Sequence, residues 1–256
     1  MSRPAATGHV VWHDLLTTDV GKACDFYAKL LGWTYEVEHA AEFVWKPGAG
    51  DYPLILSNGA AHGGLIKIEP DQRSCWLTYV TVDDVDETTR RSRKLDGTIE
   101  REPFDIPGVG RSAVVRDPQG GLICPFVASH DYPPPQGVFI WDELLTTDDY
   151  SARAFYGGLF TWAARQTDAG DKSFYTSFVD TDRDPVTGAL VMPAKLDLAA
   201  QWVPYIQVAD INMAIEKAAY LGAKQLLGPV VTKGVGRRAL LLDPTGALFG
   251  LIVPEG

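Results

Sequence analysis

The 256-residue sequence predicts an α+β protein built from four βαβββ units, arranged as two tandem halves. Three observations carry this. The segment Trp12 to Trp33, WHDLLTTDVGKACDFYAKLLGW, returns as WDELLTTDDYSARAFYGGLFTW from Trp141 to Trp162, with about half of the positions identical. The segment Val109 to Phe126, VGRSAVVRDPQGGLICPF, returns as VGRRALLLDPTGALFGLI from Val235 to Ile252. Within each half, an order of strand, helix and several strands runs twice. The offset of roughly 126–129 residues is that of a duplicated domain, since solenoid repeats recur at about 20–50 residues.

The elements follow from local chemistry. Val10 to Leu16 is apolar with polar interruptions and reads as a strand. Asp19 is placed to cap a helix, with apolar residues at Val20, Ala23, Phe26, Tyr27, Leu30 and Leu31 on one face. Gly32 stands where a helix end favours a left-handed residue. Trp33 to Val37, Glu42 to Trp45, Leu54 to Ser57 and Leu65 to Ile68 read as short strands separated by Gly, Pro and Asn. The order restarts at Cys75: WLTYVTV alternates, Asp83 or Asp84 caps a helix ending near Gly97, and strands follow around Ile99 to Glu102, Arg111 to Arg116 and Leu122 to Val127. Asp117, Pro118, Gln119 and Gly120 form a hairpin turn. The four units span about 8–69, 74–128, 137–194 and 200–254. Domain 1 is read as 1–128, domain 2 as 137–256, and the proline-rich stretch Ser129 to Gln136 as the linker. Whether units pair within or across the halves is left open by the sequence.

Composition narrows the class of function. The formal net charge of −10 disfavours phosphate backbones, so no nucleic-acid partner is expected. No apolar run reaches the length of a membrane span, and the N-terminal segment has neither an apolar core nor a cleavage signature. Cys24, Cys75 and Cys124 lack metal-like spacing and read as buried thiols in a reducing compartment, so a cytoplasmic protein is expected. A monomer or homodimer acting on a small molecule is the expected assembly.

The strand–Asp–helix–Phe–Tyr–x–x–Leu–Gly–Trp element and the Asp-Pro-x-Gly hairpin, each present twice, resemble the vicinal-oxygen-chelate superfamily of glyoxalases, bleomycin-resistance proteins and extradiol dioxygenases. The resemblance covers nearly the whole chain. It implies tandem glyoxalase-like domains, in which paired βαβββ units form cup-shaped, partly open mixed sheets with helices on the outer faces. It also implies a divalent metal on the cup floor, held by His, Gln or Glu, that polarises a substrate carbonyl.

The residues depart from that last expectation. At the positions where relatives carry ligands stand Trp12 and Trp141, Leu77 and Val203, and Cys124 and Gly250. The fourth position falls at Leu65 or Ile66, and at Leu190 or Val191. One thiol does not make a site. No cofactor is therefore expected. The alternative is glyoxalase- or dioxygenase-type chemistry, with a zinc, nickel, manganese or iron ion at a non-standard site using His13 or His62, or with an Asp/Glu acid–base. His9, His13, His39, His62 and His130 all lie in the first half and read as structural, with His13 directed to the strand face opposite Trp12.

Strand alternation puts Trp12, Asp14 and Leu16 on one face, matched by Trp141, Glu143 and Leu145. An aromatic floor with one acid suits a flat or cationic organic molecule. Asp14 and Glu143, desolvated beside indole, are the candidate acid–base residues; the alternative is that they bond backbone or an arginine. Trp45, Trp76 and Trp202, together with Phe43, Phe174 and Tyr175, are candidate ligand walls, and Trp33 and Trp162 are expected beneath the sheet. Arg111 and Arg237, which follow recurrent Gly-Val-Gly segments, are candidates to bind an anionic ligand or to pair with Asp14 and Glu143. Three functions compete: a binder of an aromatic small molecule, an enzyme, and an interaction protein whose cups are filled.

Overall fold

The computed structural model describes residues 6–40, 44–45, 48–170, 173–193, 196 and 198–255. Four βαβββ units follow one another. The first is β1 (Val10–Thr17), α1 (Val20–Leu31), β2 (Thr34–Ala40), β3 (Gly50–Ser57) and β4 (Ala60–Lys67). The second is β5 (Cys75–Thr81), α2 (Val85–Lys94), β6 (Thr98–Ile106), β7 (Gly110–Arg116) and β8 (Leu122–Ala128). The third is β9 (Phe139–Thr146), α3 (Asp149–Phe160), β10 (Ala163–Gly170), β11 (Ser173–Val179) and β12 (Pro185–Val191). The fourth is β13 (Gln201–Gln207), α4 (Ile211–Tyr220), β14 (Lys224–Thr232), β15 (Gly236–Leu242) and β16 (Leu248–Pro254). Residues 129–136 carry no helix or strand. Val44 and Trp45 form a turn rather than part of a strand, while Glu42 and Phe43 lie outside the described residues.

The helix boundaries have the expected chemistry. Asp19 accepts from the Lys22 amide at 3.0 Å, and Gly32 closes α1 at φ 77° with its N–H on the Ala28 carbonyl. Asp84, not Asp83, caps α2 by accepting from the Glu87 amide. Asp148 and Asp210 cap α3 and α4 in the same way. Among the described residues no helix is long and apolar enough to cross a membrane.

Hydrogen bonding keeps each half together. The first sheet has the order β2-β3-β4-β1-β5-β8-β7-β6, and the second β10-β11-β12-β9-β13-β16-β15-β14. Each is mixed: β1 runs parallel to β4, β5 to β8, β9 to β12 and β13 to β16, and the hairpins are antiparallel.

Compactness follows a different division. One compact unit comprises Met1–Trp12, Thr78–Pro134 and Trp141–Trp202; the other comprises His13–Leu77, Pro135–Ile140 and Val203–Gly256. Each has its own apolar core on the helix side of its strands. In the first, Val80, Ala113, Val115 and Ile123 meet Leu144, Phe155, Tyr156 and Trp202. In the second, Leu15, Phe26, Tyr27 and Trp76 meet Ile206, Ile211, Leu241 and Phe249. Full burial of each large apolar side chain contributes about 1.5–3 kcal/mol. Trp33 stacks on Tyr27 at 5.1 Å, and Trp162 donates its indole N–H to the Gly8 carbonyl at 2.9 Å, so both lie beneath the strands as expected.

Candidate functional site

The helix-side cores use one set of alternating strand positions, which assigns the other set to the opposite sheet face. Leu15 belongs to a core, so Asp14 and Leu16 point away from the helices. On that face Asp14 is 3% exposed and accepts a hydrogen bond from the Tyr52 hydroxyl at 2.6 Å. Gly64 lies directly across from Asp14 in the β1–β4 register. A Cβ on Gly64 would fall 2.1 Å from Cζ of Tyr52, so the hydroxyl end of the tyrosine ring covers this glycine and reaches the acid.

The second half repeats the saddle. Glu143 pairs with Gly188, and a Cβ there would meet the Tyr175 oxygen at 2.2 Å. The Trp141 indole N–H donates to the Tyr175 hydroxyl at 2.8 Å. Glu143 is fully covered.

A third saddle forms on β13 and β16. Tyr205 is in register with Gly250, and its Cδ1 lies 2.1 Å from where a Gly250 Cβ would be. Arg238 is only 5% exposed; it donates to the Tyr205 hydroxyl at 3.2 Å and, through Nε, to Thr232 at 3.0 Å. The corresponding pair in the first half is Tyr79 and Cys124. Nearby, the Arg101 guanidinium lies 3.7 Å from the centroid of the Phe104 ring. Burial pulls the Arg101 pKa down, while Tyr79 and Cys124 push it up.

Four of the candidate residues lie off the tyrosine-bearing face. Trp76 and Trp202 sit in the helix-side cores, 2% and 1% exposed, and Trp202 donates to the Tyr156 hydroxyl at 2.9 Å. They are packing residues, because their strand phase is opposite to that of Leu77 and Val203. Arg111 also points to the helix side, bonded at 2.8 Å to both Asp86 and Asp105. Arg237 donates to Asn212 at the start of α4 at 2.9 Å. The arginines on the tyrosine-bearing face are instead Arg101 and Arg238. Each lacks an arginine counterpart in the other half, so recurrence did not reveal them. A signal for the tyrosines was present: Tyr52 with Gly64 recurs as Tyr175 with Gly188. Trp12 and Trp141 are half-buried, as is Trp45 in its turn; Phe43 and the Phe174 side chain lie outside the described residues.

The histidines are occupied locally. His9 lies 3.3 Å from Asp180, His39 lies 2.7 Å from Asp51, and His13 packs on Phe139 at 4.3 Å. His62 is buried, which lowers its pKa, and it bonds the Ser57 backbone. Among the described residues no group of three or more His, Cys, Asp or Glu is placed to hold a metal. At Trp12 and Trp141 the indole offers an N–H and no lone pair, and the Tyr205 ring occupies the space in which a side chain at Gly250 would begin. A separate cleft of about 180 Å³ lies beside the start of α2, lined by Thr7, Asp83, Asp84, Glu87, Arg91 and Phe160 among others.

The Glyoxalase/Bleomycin resistance protein/Dioxygenase superfamily profile matches residues 7–124. The Mycobacterium tuberculosis protein named "Putative glyoxylase CFP32" is 30% identical over 253 residues, covering 95% of this chain and 94% of its own. The anthracycline biosynthesis protein DnrV of Streptomyces peucetius is 29% identical over 266 residues, covering 96% and 94%. Among solved structures, an extradiol ring-cleaving dioxygenase from B. fuscum superposes with a TM-score of 0.62 at 15% identity, covering 99% of this chain and 74% of its own. A variant of 4-hydroxymandelate synthase from Streptomyces coelicolor gives 0.64 at 12%, covering 98% and 94%. The chain belongs to the glyoxalase/bleomycin resistance/dioxygenase superfamily, and it shares the tandem fold of these structures.

Proposed function

We propose that this protein binds a small planar aromatic molecule on the tyrosine- and tryptophan-bearing faces of its sheets, without a metal at the superfamily position. The observation that carries the reading is the Tyr205–Gly250 saddle: an aromatic ring fills the space in which a side chain at position 250 would begin, a position where the family resemblance implies a carboxylate. Tyr52 over Gly64 and Tyr175 over Gly188 extend the same chemistry. Flat rings present π faces on which a flat ligand stacks. A relative that takes part in anthracycline biosynthesis supports a polycyclic aromatic ligand. Reduced cysteines, the acidic composition and a small-molecule role together fit a cytoplasmic protein.

Titration with a panel of polycyclic aromatic compounds tests the reading through intrinsic tryptophan fluorescence. Saturable quenching at micromolar ligand is expected, with Trp12 and Trp141 as reporters. A panel without any saturable binder overturns it. Elemental analysis of protein purified without chelator is the parallel measurement. Stoichiometric zinc, nickel, manganese or iron would favour the enzymatic alternative, which the glyoxylase name of the mycobacterial relative keeps in view.

A further inference from the structure

We infer that the outward ridge of α4 is a docking surface for the same ridge of a second copy of this chain, packed antiparallel about a two-fold axis. This is independent of the ligand-binding reading. Ile211, Ile215 and Ala218 are the buried face of α4. At 3.6 residues per turn, Met213, Glu216, Lys217 and Tyr220 form the opposite stripe. Met213 is 69% exposed and Tyr220 91%. The other helices present a different surface. α1 exposes Lys22, Asp25 and Lys29, and α2 exposes Arg90, Arg93 and Lys94. Tyr150 on α3 is exposed too, but the Arg153 guanidinium lies 5.9 Å from its ring centroid. Among the described residues α4 is thus the one helix with two large exposed hydrophobic side chains, set two turns apart on one face.

The stripe is complementary to itself. In an antiparallel pair whose axis passes between Glu216 and Lys217, Glu216 of each copy meets Lys217 of the other, and Met213 of each meets Tyr220 of the other. A parallel pair would set Glu216 against Glu216 and Lys217 against Lys217. Opposite charges at the centre fix the register, and sulfur–aromatic contacts flank them on both sides. Lys217 donates one of its ammonium protons to the Leu30 carbonyl at 3.2 Å, which anchors the side chain and leaves the others for the facing glutamate. Val231 widens the patch. It is 74% exposed on the edge strand β14, and its register partner Arg237 bonds Asn212 at the head of α4, so it lies on the helix side of the sheet. A contact of this size falls below the ~800 Å² per partner of a standard interface, so the dimer is weak and reversible, dissociating at about 10–100 μM.

Sedimentation equilibrium of the full chain, from about 2 μM to about 500 μM, tests this. The average mass is expected to rise from that of one chain towards that of two. Tyr220→Glu and Met213→Lys, each with folding verified by urea denaturation, are expected to weaken self-association at least about tenfold. Mixed in equal amounts, the two variants should recover a dimer within about fivefold of the parent's affinity, because one Met213–Tyr220 contact stays intact and the other becomes an ion pair. A chain that stays monomeric throughout overturns the inference and leaves the ridge to another occupant. Association undiminished in Tyr220→Glu, or not recovered in the mixture, also overturns it. A mass that climbs past two chains overturns the two-fold arrangement.

Discussion

Tyr27 donates its hydroxyl proton to Asp243 at 3.0 Å, joining residues 216 positions apart. The tyrosine belongs to the Phe-Tyr mark of α1, and the aspartate opens the Asp-Pro-x-Gly turn of the other half. Tyr156 and Asp117 make the reciprocal bond at 2.8 Å. Each aspartate also ties its own turn: Asp117 accepts from the Gln119 and Gly121 amides, and Asp243 from those of Thr245 and Ala247. The two motifs that recur in the sequence are thus halves of one buried contact, made once in each compact unit.

Removing that contact has a predictable size and pH dependence. Tyr27→Phe leaves Asp243 without one of its donors and costs about 1.5–3 kcal/mol at pH 7, as for a hydrogen bond to a charged group. The Asp243 pKa is raised mainly by burial, against the opposing bonds from Thr245, Ala247 and Tyr27. The folded pKa therefore exceeds the unfolded value of about 3.9. Stability from this group is fully present below the unfolded value and is lost as pH rises through the folded one. The missing phenol favoured the ionised form, so Tyr27→Phe should be more destabilising at pH 7 than at pH 4. Urea denaturation at both pH values measures the difference, and a cost that does not change with pH contradicts it.

The first half alone should not fold. Residues 1–128 form one sheet, yet the core around Val80, Val115 and Ile123 is completed by Leu144, Phe155, Tyr156 and Trp202. The same truncation deprives Asp117 of Tyr156 and Tyr27 of Asp243. A fragment ending at residue 128 is expected to lose its near-ultraviolet dichroism and to bind a hydrophobic dye, and co-expression with 129–256 should restore the native signal. A sharp cooperative melt of the isolated fragment would contradict this.

Much of the fold was legible because it is local. Helix caps, turn aspartates and strand alternation are written in adjacent residues, and the internal repeat supplied the element order twice. The site was harder to read, for two physical reasons. A strand shows opposite faces at successive positions, so the recurrent Arg111 and Arg237 lie on the helix side while the unrepeated Arg238, one residue on, faces the tyrosines. Likewise Trp76 and Trp202 have the composition of a ligand wall but the strand phase of a core. The pairing of α1 with the last hairpin joins segments far apart in sequence, which local patterns do not encode.

Cys24 should be chemically quiet although it is only partly buried. Burial first, and then the neighbouring Asp25, push its thiol pKa from the ordinary 9.0 up to about 11. At pH 8 only about a thousandth of it is thiolate, the form that reacts. Alkylation by iodoacetamide at pH 8, followed by peptide mass spectrometry, should proceed about a hundredfold more slowly at Cys24 than at an unperturbed thiol. It should accelerate as pH rises toward 11. Fast labelling at pH 8 would show that the thiol lacks this environment.

Gly250→Ala tests the saddle directly. The added methyl would sit 2.1 Å from Cδ1 and 2.4 Å from Cγ of Tyr205, atoms close to the ring's attachment that cannot swing clear as a flexible chain end would. The ring must rotate or the strands must part, at about 1–3 kcal/mol for overpacking of this kind. Displacing Tyr205 also breaks its bond from Arg238. A control comes from Gly21, inside α1, where the nearest atom to an added Cβ is 3.7 Å away; Gly21→Ala should leave stability unchanged or raise it. If both alanine variants unfold at the same urea concentration as the parent, Tyr205 does not lie over Gly250, and the saddle on which the binding proposal stands is lost.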